Sequence, residues 1–235
     1  MSVTSKFLDS NLSLIDGGRA VKYKLDFRKM HPTYFDPEGI LIFCGPQGSG
    51  KTLSAVRYIR KVLDYYPACL FCSNTLIQGY EERTVEYNGL DSLKDLENGF
   101  QGVLYFIDEI HLELNSLESE NIDMDVIIEL SQQRKQRKHI VGTSQVYMRM
   151  AKPLREQVKD IVLCHNYFGI FQDNKYIDGF SAVEENGKLK CDVKKRQFYF
   201  HSSELYACYD TYTKMHRYRR EWKGKKGVSN YDRSN

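Results

Sequence analysis

The chain has 235 residues, of which 41% are hydrophobic and 28% are charged, and its formal net charge is +3. The longest apolar runs, at residues 40–44 and 103–107, are too short to span a bilayer, and residues 1–6 lack the apolar segment of a signal peptide. The composition suffices for a globular core. The short apolar runs and the lack of an apolar segment at residues 1–6 argue against membrane-spanning and secreted classes, and lead us to expect a cytoplasmic protein.

The start of the chain predicts little regular structure, whereas the middle alternates between strand and helix patterns. Residues 1–37 are polar and punctuated by glycine and proline, which predicts an extended lead-in with one short strand at residues 20–27. Strands are then predicted at 40–44, 68–72, 102–107, 139–143 and 161–165, and helices at 53–63, 92–96, 123–138 and 153–158. This alternation predicts an α/β core with a mostly parallel sheet covered on both faces.

The pattern changes after residue 167. Residues 176–183 and 188–200 flank a Glu-Glu-Asn-Gly turn, which predicts a β-hairpin, and Ser202 or Ser203 can cap a final helix. The chain therefore divides into four predicted regions: a lead-in at 1–37, a core at 38–167, a hairpin-plus-helix appendage at 168–213 and a basic tail at 214–235.

The tail carries far more cationic than acidic residues, interleaved with Tyr218, Trp222 and Tyr231. Such a segment suits contact with phosphates and stacking on bases. The alternative is a disordered terminus without a specific role.

A glycine-rich motif lies between the first predicted core strand and the helix after it. It is a complete G-x-x-x-x-G-K-T phosphate loop, formed by Gly45, Pro46, Gln47, Gly48, Ser49, Gly50, Lys51 and Thr52. Glycines let backbone N–H groups approach a triphosphate closely, and the following helix directs its positive N-terminus at the same charge. Lys51 can reach the β- and γ-phosphates, and the Thr52 hydroxyl can ligate Mg²⁺. The motif predicts a nucleoside triphosphate site, with a chance glycine-rich turn as the alternative.

Two adjacent acids, Asp108 and Glu109, follow the buried strand predicted at 102–107. In open α/β sheets, ligands bind at the carboxyl ends of the strands. Asp108 is therefore placed to hold Mg²⁺, directly or through water, and Glu109 to polarise an attacking water. The alternative for Glu109 is a plain surface acid.

Two further features follow the acid pair along the chain. Gln145 lies just beyond the strand predicted at 139–143 and could contact the γ-phosphate or the attacking water; a loop glutamine is the alternative. Arg134 and Arg137 lie three residues apart on the helix predicted at 123–138 and would share one face. An arginine from a neighbouring subunit can neutralise transition-state charge, and a solvated basic face is the simpler alternative.

Taken in order, these motifs resemble those of the FtsK/HerA superfamily of DNA-pumping ATPases. Within it, the chain is most similar to viral genome-packaging ATPases and to the zonula-occludens-toxin-like (Zot) assembly ATPases of filamentous phages. The resemblance covers residues 38–167, and it is most marked over residues 91–111 and from the basic helix through Gln145 to Arg155.

The resemblance implies a RecA-like core that assembles into a ring, usually a hexamer, around double-stranded DNA, with ATP at the subunit interface. By position, Lys51 would bind phosphate, Thr52 and Asp108 would hold Mg²⁺, and Glu109 would activate water. A capsid or portal vertex protein is a further implied partner, and the protein would act in the host cytoplasm or at a virion vertex.

The resemblance also assigns roles across the subunit interface. Gln145 would sense the γ-phosphate, and Arg137 or Arg134 would act in trans, with Arg155 as a weaker candidate. Zot-like assembly proteins typically carry a membrane-spanning segment, which is not found here, nor are the HerA barrel and the membrane and DNA-reading domains of FtsK. We therefore expect a minimal motor.

Three functions compete on these grounds. The leading hypothesis is an ATP-hydrolysing DNA translocase that packages a viral genome into a capsid. The second is a Zot-like ATPase that drives extrusion of filamentous phage at the membrane. The third is a small-molecule kinase or nucleotide switch, although a guanine-reading switch would need N-K-x-D, and the run from Asn174 to Asp178 misses that pattern by one residue.

Overall fold

The computed structural model describes residues 14–112, 124–133, 135–185 and 188–209. Arg134, residues 186–187 of the predicted turn and the predicted basic tail lie outside these described residues. The chain divides into two compact units, Met1–Tyr34 and Phe35–Asn235, and each is described by itself.

The first unit contains a helix, α1, at Leu14–Met30. The predicted extended lead-in with a strand at residues 20–27 is therefore wrong. Asp16 in the first turn and Arg28 in the last turn complement the helix dipole. The alternation of apolar and charged residues suggested a strand, but these terminal charges favour a helix over the same segment.

The second unit is built on an eight-stranded sheet. The described strands are β1 (Gly39–Cys44), β2 (Leu70–Ser73), β3 (Thr84–Glu86), β4 (Val103–Ile107), β5 (Lys138–Ser144), β6 (Val158–Tyr167), β7 (Phe171–Asp178), β8 (Val183–Glu185), β9 (Lys188–Lys190) and β10 (Val193–Phe200). The order across the sheet is β10-β7-β6-β1-β5-β4-β2-β3. The strands from β6 to β3 are parallel, and β7 and β10 continue the sheet in antiparallel pairs.

All five predicted core strands are confirmed as β1, β2, β4, β5 and β6, with boundaries that shift by up to three residues. β2 is the first strand after the phosphate loop in sequence, but it does not pair with β1. Instead β5 lies between β1 and β4, so that the loop after β5 is held between the phosphate loop and the acid pair. The edge strand β3 was not predicted.

Helices cover both faces of the parallel strands. Their bounds are α2 (Lys51–Tyr65), α3 (Ser92–Asp95), α4 (Met124–Gln132), α5 (Lys152–Arg155) and α6 (Ser203–Ala207). On one face α2 buries Val56, Ile59 and Leu63, three positions on one side of the helix. On the other face, Leu130 of α4 and Leu154 of α5 are buried. Each such side chain contributes about 1.5–3 kcal/mol by leaving water. None of the described helices is long and apolar enough to cross a bilayer.

The helix predicted at 123–138 is too long, because α4 ends at Gln132. Arg137 has a left-handed φ of 58° and lies directly before β5. Lys138 is 1% exposed, and its ammonium donates to the carbonyl of Leu93 and to Glu129, so the chain must leave the helix to enter the strand. The predicted helix face shared with Arg137 is therefore not formed.

The predicted hairpin also differs from the structure. β10 pairs with β7, while β8 and β9 form a separate two-stranded sheet. The chain leaves β7 at Gly179, whose N–H donates to the carbonyl of Lys159 at 3.0 Å. The final helix is confirmed as α6, and the Ser202 hydroxyl accepts from the N–H of Leu205 at 3.2 Å.

Candidate nucleotide-binding site

The phosphate loop connects the end of β1 to the start of α2. Gly50 has a left-handed φ of 79°, and a Cβ on it would collide with the buried side-chain oxygen of Gln172. A Cβ on Gly45 would lie 2.5 Å from the Ser49 hydroxyl and 2.8 Å from the carbonyl of Cys164. Glycine is therefore required at both positions, and the loop is packed tightly from behind.

The lysine and threonine of the loop occupy the first turn of α2. The Lys51 ammonium donates to the carbonyl of Pro46 at 3.0 Å, so it lies over the loop that it closes. The Thr52 hydroxyl donates to Asp108 Oδ1 at 3.2 Å. The structure thus brings the predicted loop residues and the predicted acid of β4 into direct contact, although they are 56 positions apart.

Asp108 lies at the carboxyl end of β4 and is 4% exposed. Its Oδ1 also accepts a short hydrogen bond from the Thr143 hydroxyl at the end of β5. The side chain of Asn74, beyond β2, accepts from the Asp108 N–H at 2.9 Å and donates to its carbonyl at 3.0 Å. Thr52 and Thr143 therefore fix the carboxylate of Asp108 and Asn74 fixes its backbone, which favours a role in positioning rather than in proton transfer.

Glu109 follows in a left-handed conformation with φ of 59°. Its N–H donates to the Thr143 hydroxyl at 2.8 Å. A positive φ is costly for a residue with a side chain, and residues held in this way are found often at functional sites. Thr143 links Glu109 to Asp108, so the acid pair is fixed as a unit.

Gln145 lies between these two motifs. It follows β5 directly and is exposed, and β5 pairs with β1 on one side and with β4 on the other. The carbonyl of Ser144 accepts from the N–H of Gly45 at 3.3 Å. The strand order thus places Gln145 at the same sheet edge as the loop and the acid pair, which is the position that a γ-phosphate sensor needs.

His111 lies in the turn after the acid pair and is 9% exposed. Burial lowers its pKa below the ordinary value of 6.5, with Arg149 and Lys51 lowering it further and Glu109 opposing them. The imidazole is therefore largely neutral at neutral pH, and it adds little positive charge beside Glu109.

The arginine candidates lie elsewhere. Arg137 lies directly before β5 and Gln145 directly after it, so the two residues are at opposite ends of that strand. A strand of seven residues separates them by about 23 Å. Arg155 ends α5, where its guanidinium contacts the Met148 sulfur at 3.2 Å. The structure does not bring either arginine into contact with the loop of its own chain.

A group of polar side chains behind the loop was missed at the sequence level. The Gln172 amide on β7 donates to the carbonyl of Ser49 at 2.9 Å and to the Asn174 side chain at 3.0 Å. The Ser54 hydroxyl of α2 donates to the same Asn174 oxygen at 3.3 Å. Gln172 is 0% exposed. Gln172 and Asn174 lie more than 100 positions from the loop, so no local sequence signal marks their contact with it.

The residues present fit a triphosphate with Mg²⁺. A glycine-rich loop at the start of a helix is the kind of backbone that binds phosphates through its N–H groups, and the oxygens of Thr52 and Asp108 are the hard ligands that Mg²⁺ prefers. Among the described residues, no cluster of three or more His, Cys, Asp or Glu side chains forms a metal site. Mg²⁺ needs no such cluster here, because substrate phosphates commonly complete its coordination.

No protein-family model matches the chain, and no curated protein matches it. Among solved structures, the N-terminal domain of zonular occludens toxin from Neisseria meningitidis is 15% identical, with a TM-score of 0.50 over 74% of this chain and 100% of that one. The genome packaging NTPase B204 from Sulfolobus turreted icosahedral virus 2, in complex with ATP-gammaS, is 13% identical, with a TM-score of 0.48 over 66% and 97%. Together with the phosphate loop and the strand order, the first of these likenesses identifies the fold of the chain as the RecA-like fold of P-loop NTPases.

Proposed function

We propose that the chain hydrolyses ATP, with water attacking the γ-phosphate to give ADP and phosphate. The observation that carries this proposal is the fixed Glu109 beside Asp108, at the same sheet edge as the phosphate loop. The loop N–H groups and Lys51 would bind the phosphates, and Thr52 and Asp108 would hold Mg²⁺. When bound, Mg²⁺ would neutralise charge on the phosphate oxygens. The Glu109 carboxylate would accept a proton from the attacking water, and Gln145 would contact the water or the γ-phosphate.

We further propose that hydrolysis moves double-stranded DNA, and that the task is packaging of a viral genome into a capsid. The order of the motifs from residue 38 to residue 167 supports this, because it resembles the DNA-pumping ATPases. The protein would assemble as a ring, with a hexamer as the first expectation, and would act in the host cytoplasm or at a capsid vertex.

Arg137 is proposed to act in a neighbouring subunit. Its position before β5 is about 23 Å from the loop edge of its own sheet, which is longer than an arginine side chain. That separation supports action in trans over action in cis. Arg134 remains an alternative, and Arg155 a weaker one.

The second candidate function is extrusion of a filamentous phage. The fold likeness to the N-terminal domain of a zonular occludens toxin favours it. A nucleotide switch is less well supported, since Asn174 is 1% exposed and accepts hydrogen bonds from Ser54 and Gln172. A base-reading asparagine would instead present its amide to the nucleotide.

The experiment is ATP hydrolysis by the full chain with and without double-stranded DNA, together with a mass measurement of the assembly. We expect DNA to raise the rate in low salt and added salt to abolish the increase. Lys51→Ala is the control for contaminating ATPases. If DNA leaves the rate of ATP hydrolysis unchanged at every protein concentration, the proposal of translocation is contradicted and the proposal of hydrolysis stands.

Mixed assemblies test the arginine. Arg137→Ala and Glu109→Gln subunits should each be inactive alone but should recover part of the activity when mixed, because each supplies the group that the other lacks. If the mixture still forms rings but recovers nothing, Arg137 does not act in trans. The same mixing with Arg155→Ala examines the weaker candidate.

A further inference from the structure

One face of β6, β7 and β10 carries a row of aromatic rings, which we name the aromatic platform. Its members are Tyr167 on β6, Phe171 on β7, and Phe198 and Phe200 on β10. The strand register pairs Tyr167 with Phe171 and Phe171 with Phe200. The centroid of the Phe171 ring lies 5.8 Å from that of Phe198, 5.2 Å from that of Phe200 and 6.0 Å from that of Tyr167. The rings therefore form one cluster that spans three strands.

The platform is open to solvent. Tyr167, Phe198 and Phe200 are 40%, 52% and 72% exposed, whereas Phe43 in the core is 0% exposed. Contiguous apolar surface of this kind is uncommon on a protein that has no partner for it. Tyr199, between the two exposed phenylalanines, packs in the core on the other face of the sheet. Phe198 and Phe200 are therefore exposed because side chains alternate between the two faces along β10.

The charge beside the platform is positive. Lys175 and Arg196 are directly opposite each other in the β7–β10 pair, and like charges in that position destabilise a sheet. The acid on this face, Asp173, is 2% exposed and accepts two hydrogen bonds from Arg196 at 3.0 and 2.6 Å. The Arg196 guanidinium also lies 5.2 Å from the Phe198 ring centre. Asp173 therefore offsets the charge of Arg196, and the exposed Lys175 leaves these three side chains with a net positive charge, which suits an anionic ligand.

We propose that the aromatic platform binds single-stranded DNA, with bases stacked on its rings and the phosphates near Lys175 and Arg196. Alternate residues of one β-strand lie about 7 Å apart. Successive bases of an extended DNA strand can therefore each stack on a ring. A duplex keeps its bases stacked internally and offers mainly its backbone. The choice of DNA over RNA rests on the proposed function.

The platform is joined to the nucleotide site through β7. Phe171 and Asp173 face the platform, and Gln172 between them faces the other way and bonds to the carbonyl of Ser49 in the phosphate loop. β7 thus contributes Phe171 to the platform on one face of the sheet, and on the other face it supports the phosphate loop through Gln172. The proposed sites for single-stranded DNA and for nucleotide are therefore joined by β7, although they use opposite faces of the sheet.

The experiment is fluorescence anisotropy with a labelled oligo-dT and the full chain, without nucleotide. The double variant Phe198→Ala, Phe200→Ala should bind about tenfold more weakly or worse, since each lost ring removes a stacking partner. Phe180→Ala is the matched control, because Phe180 is 78% exposed and lies outside the platform. Phe198→Tyr should keep the affinity. Circular dichroism checks folding, and the single variant Phe200→Ala serves if the double variant does not fold.

Several outcomes would overturn the proposal. They are equal affinity of the double variant and the wild type for oligo-dT, no binding of oligo-dT by the wild type, a loss of duplex affinity in the double variant as large as its loss of oligo-dT affinity, and tighter binding of an RNA strand by the wild type. A change in assembly mass without a change in oligonucleotide affinity would assign the platform to contact with a second copy of the chain. Because nucleotide is absent, failure of the proposed ATPase activity would not alter this measurement.

Discussion

The parallel and antiparallel regions of one sheet use their residues differently. Every residue of β4 and β5 is buried, because helices cover both faces of the parallel strands. Most of β10 is exposed, and Tyr199 is its only buried residue. The parallel region holds its candidate site residues at the strand ends, and Asp108, Glu109 and Gln145 follow the ends of the paired strands β4 and β5. The antiparallel region presents side chains along the strand. On the proposals above, one sheet would bind nucleotide at its strand ends and single-stranded DNA on one of its faces.

A substitution of Glu109 tests whether catalysis belongs to the parallel region. Glu109→Gln should lower the turnover number for ATP by about 10²–10⁴-fold, because the amide cannot accept the water proton. ATP affinity should be retained, as measured by titration of a fluorescent analogue. Glu86→Gln, at the end of the edge strand β3, is the matched control. Unchanged turnover in Glu109→Gln would remove that residue from the mechanism.

The next prediction concerns a buried histidine of the parallel region. His139 in β5 is 3% exposed and contacts the Tyr58 hydroxyl at 2.9 Å and the carbonyl of Gly39 at 2.8 Å. Burial lowers its pKa from 6.5 to about 4. The unfolded chain therefore binds a proton at a higher pH than the native chain does. The free energy of unfolding should fall by about 3 kcal/mol as pH drops through that window.

Urea denaturation at a series of pH values measures this effect. His139→Gln lacks the titrating group, so its stability should vary less with pH, and the difference between the two curves isolates His139 from other groups. Parallel curves would mean that the pKa of His139 is the same in the native and the unfolded chain.

The link between the two regions gives a smaller effect. Gln172→Ala removes the donor to the carbonyl of Ser49, and we expect the KM for ATP to rise about tenfold with a smaller change in kcat, since a hydrogen bond of this kind stabilises by about 1–1.5 kcal/mol. Gln197→Ala is the control: Gln197 bonds the Tyr176 hydroxyl at 3.1 Å and does not contact the loop. A loss of stability with unchanged KM would make Gln172 a purely structural residue.

The smallest effect lies at the turn between β6 and β7. Phe168 and Gly169 both have positive φ, 56° and 72°, as a type I′ turn requires, and Asn-Gly is favoured there. Phe168 is 95% exposed, so its side chain contributes little packing. Phe168→Asn should therefore raise the free energy of unfolding by about 1 kcal/mol, with ATP hydrolysis unchanged. A loss of stability would show that the ring is packed in solution.

Local sequence signals predicted the parallel region well. The phosphate loop motif specifies four of its eight positions, and the apolar runs before Gly45 and Asp108 are typical of buried strands, so β1, α2 and β4 were all identified. The spatial contact between Thr52 and Asp108 followed from the rule that ligands bind at strand ends. Roles in catalysis remain predictions.

Long-range contacts explain what the sequence could not predict. The turn at Gly179 depends on its hydrogen bond to Lys159, and α4 ends early because Lys138 is required in a buried strand position. Gln172 supports the loop from the far side of β6, and its neighbours in sequence carry no sign of that contact. The helix at Leu14–Met30 was missed because its alternating residues match a strand period.

The position of β1 has a consequence for how the protein is made. Its partners are β5 and β6, and Ile40 is opposite Ile140 and Val158. During synthesis, β1 must therefore wait for about 100 further residues to leave the ribosome before it can pair. Loop closure over that length slows folding, and an apolar strand left unpaired favours aggregation. We expect ribosome-bound chains that end before β5 to lack a formed phosphate loop, and to depend on chaperones until β5 emerges.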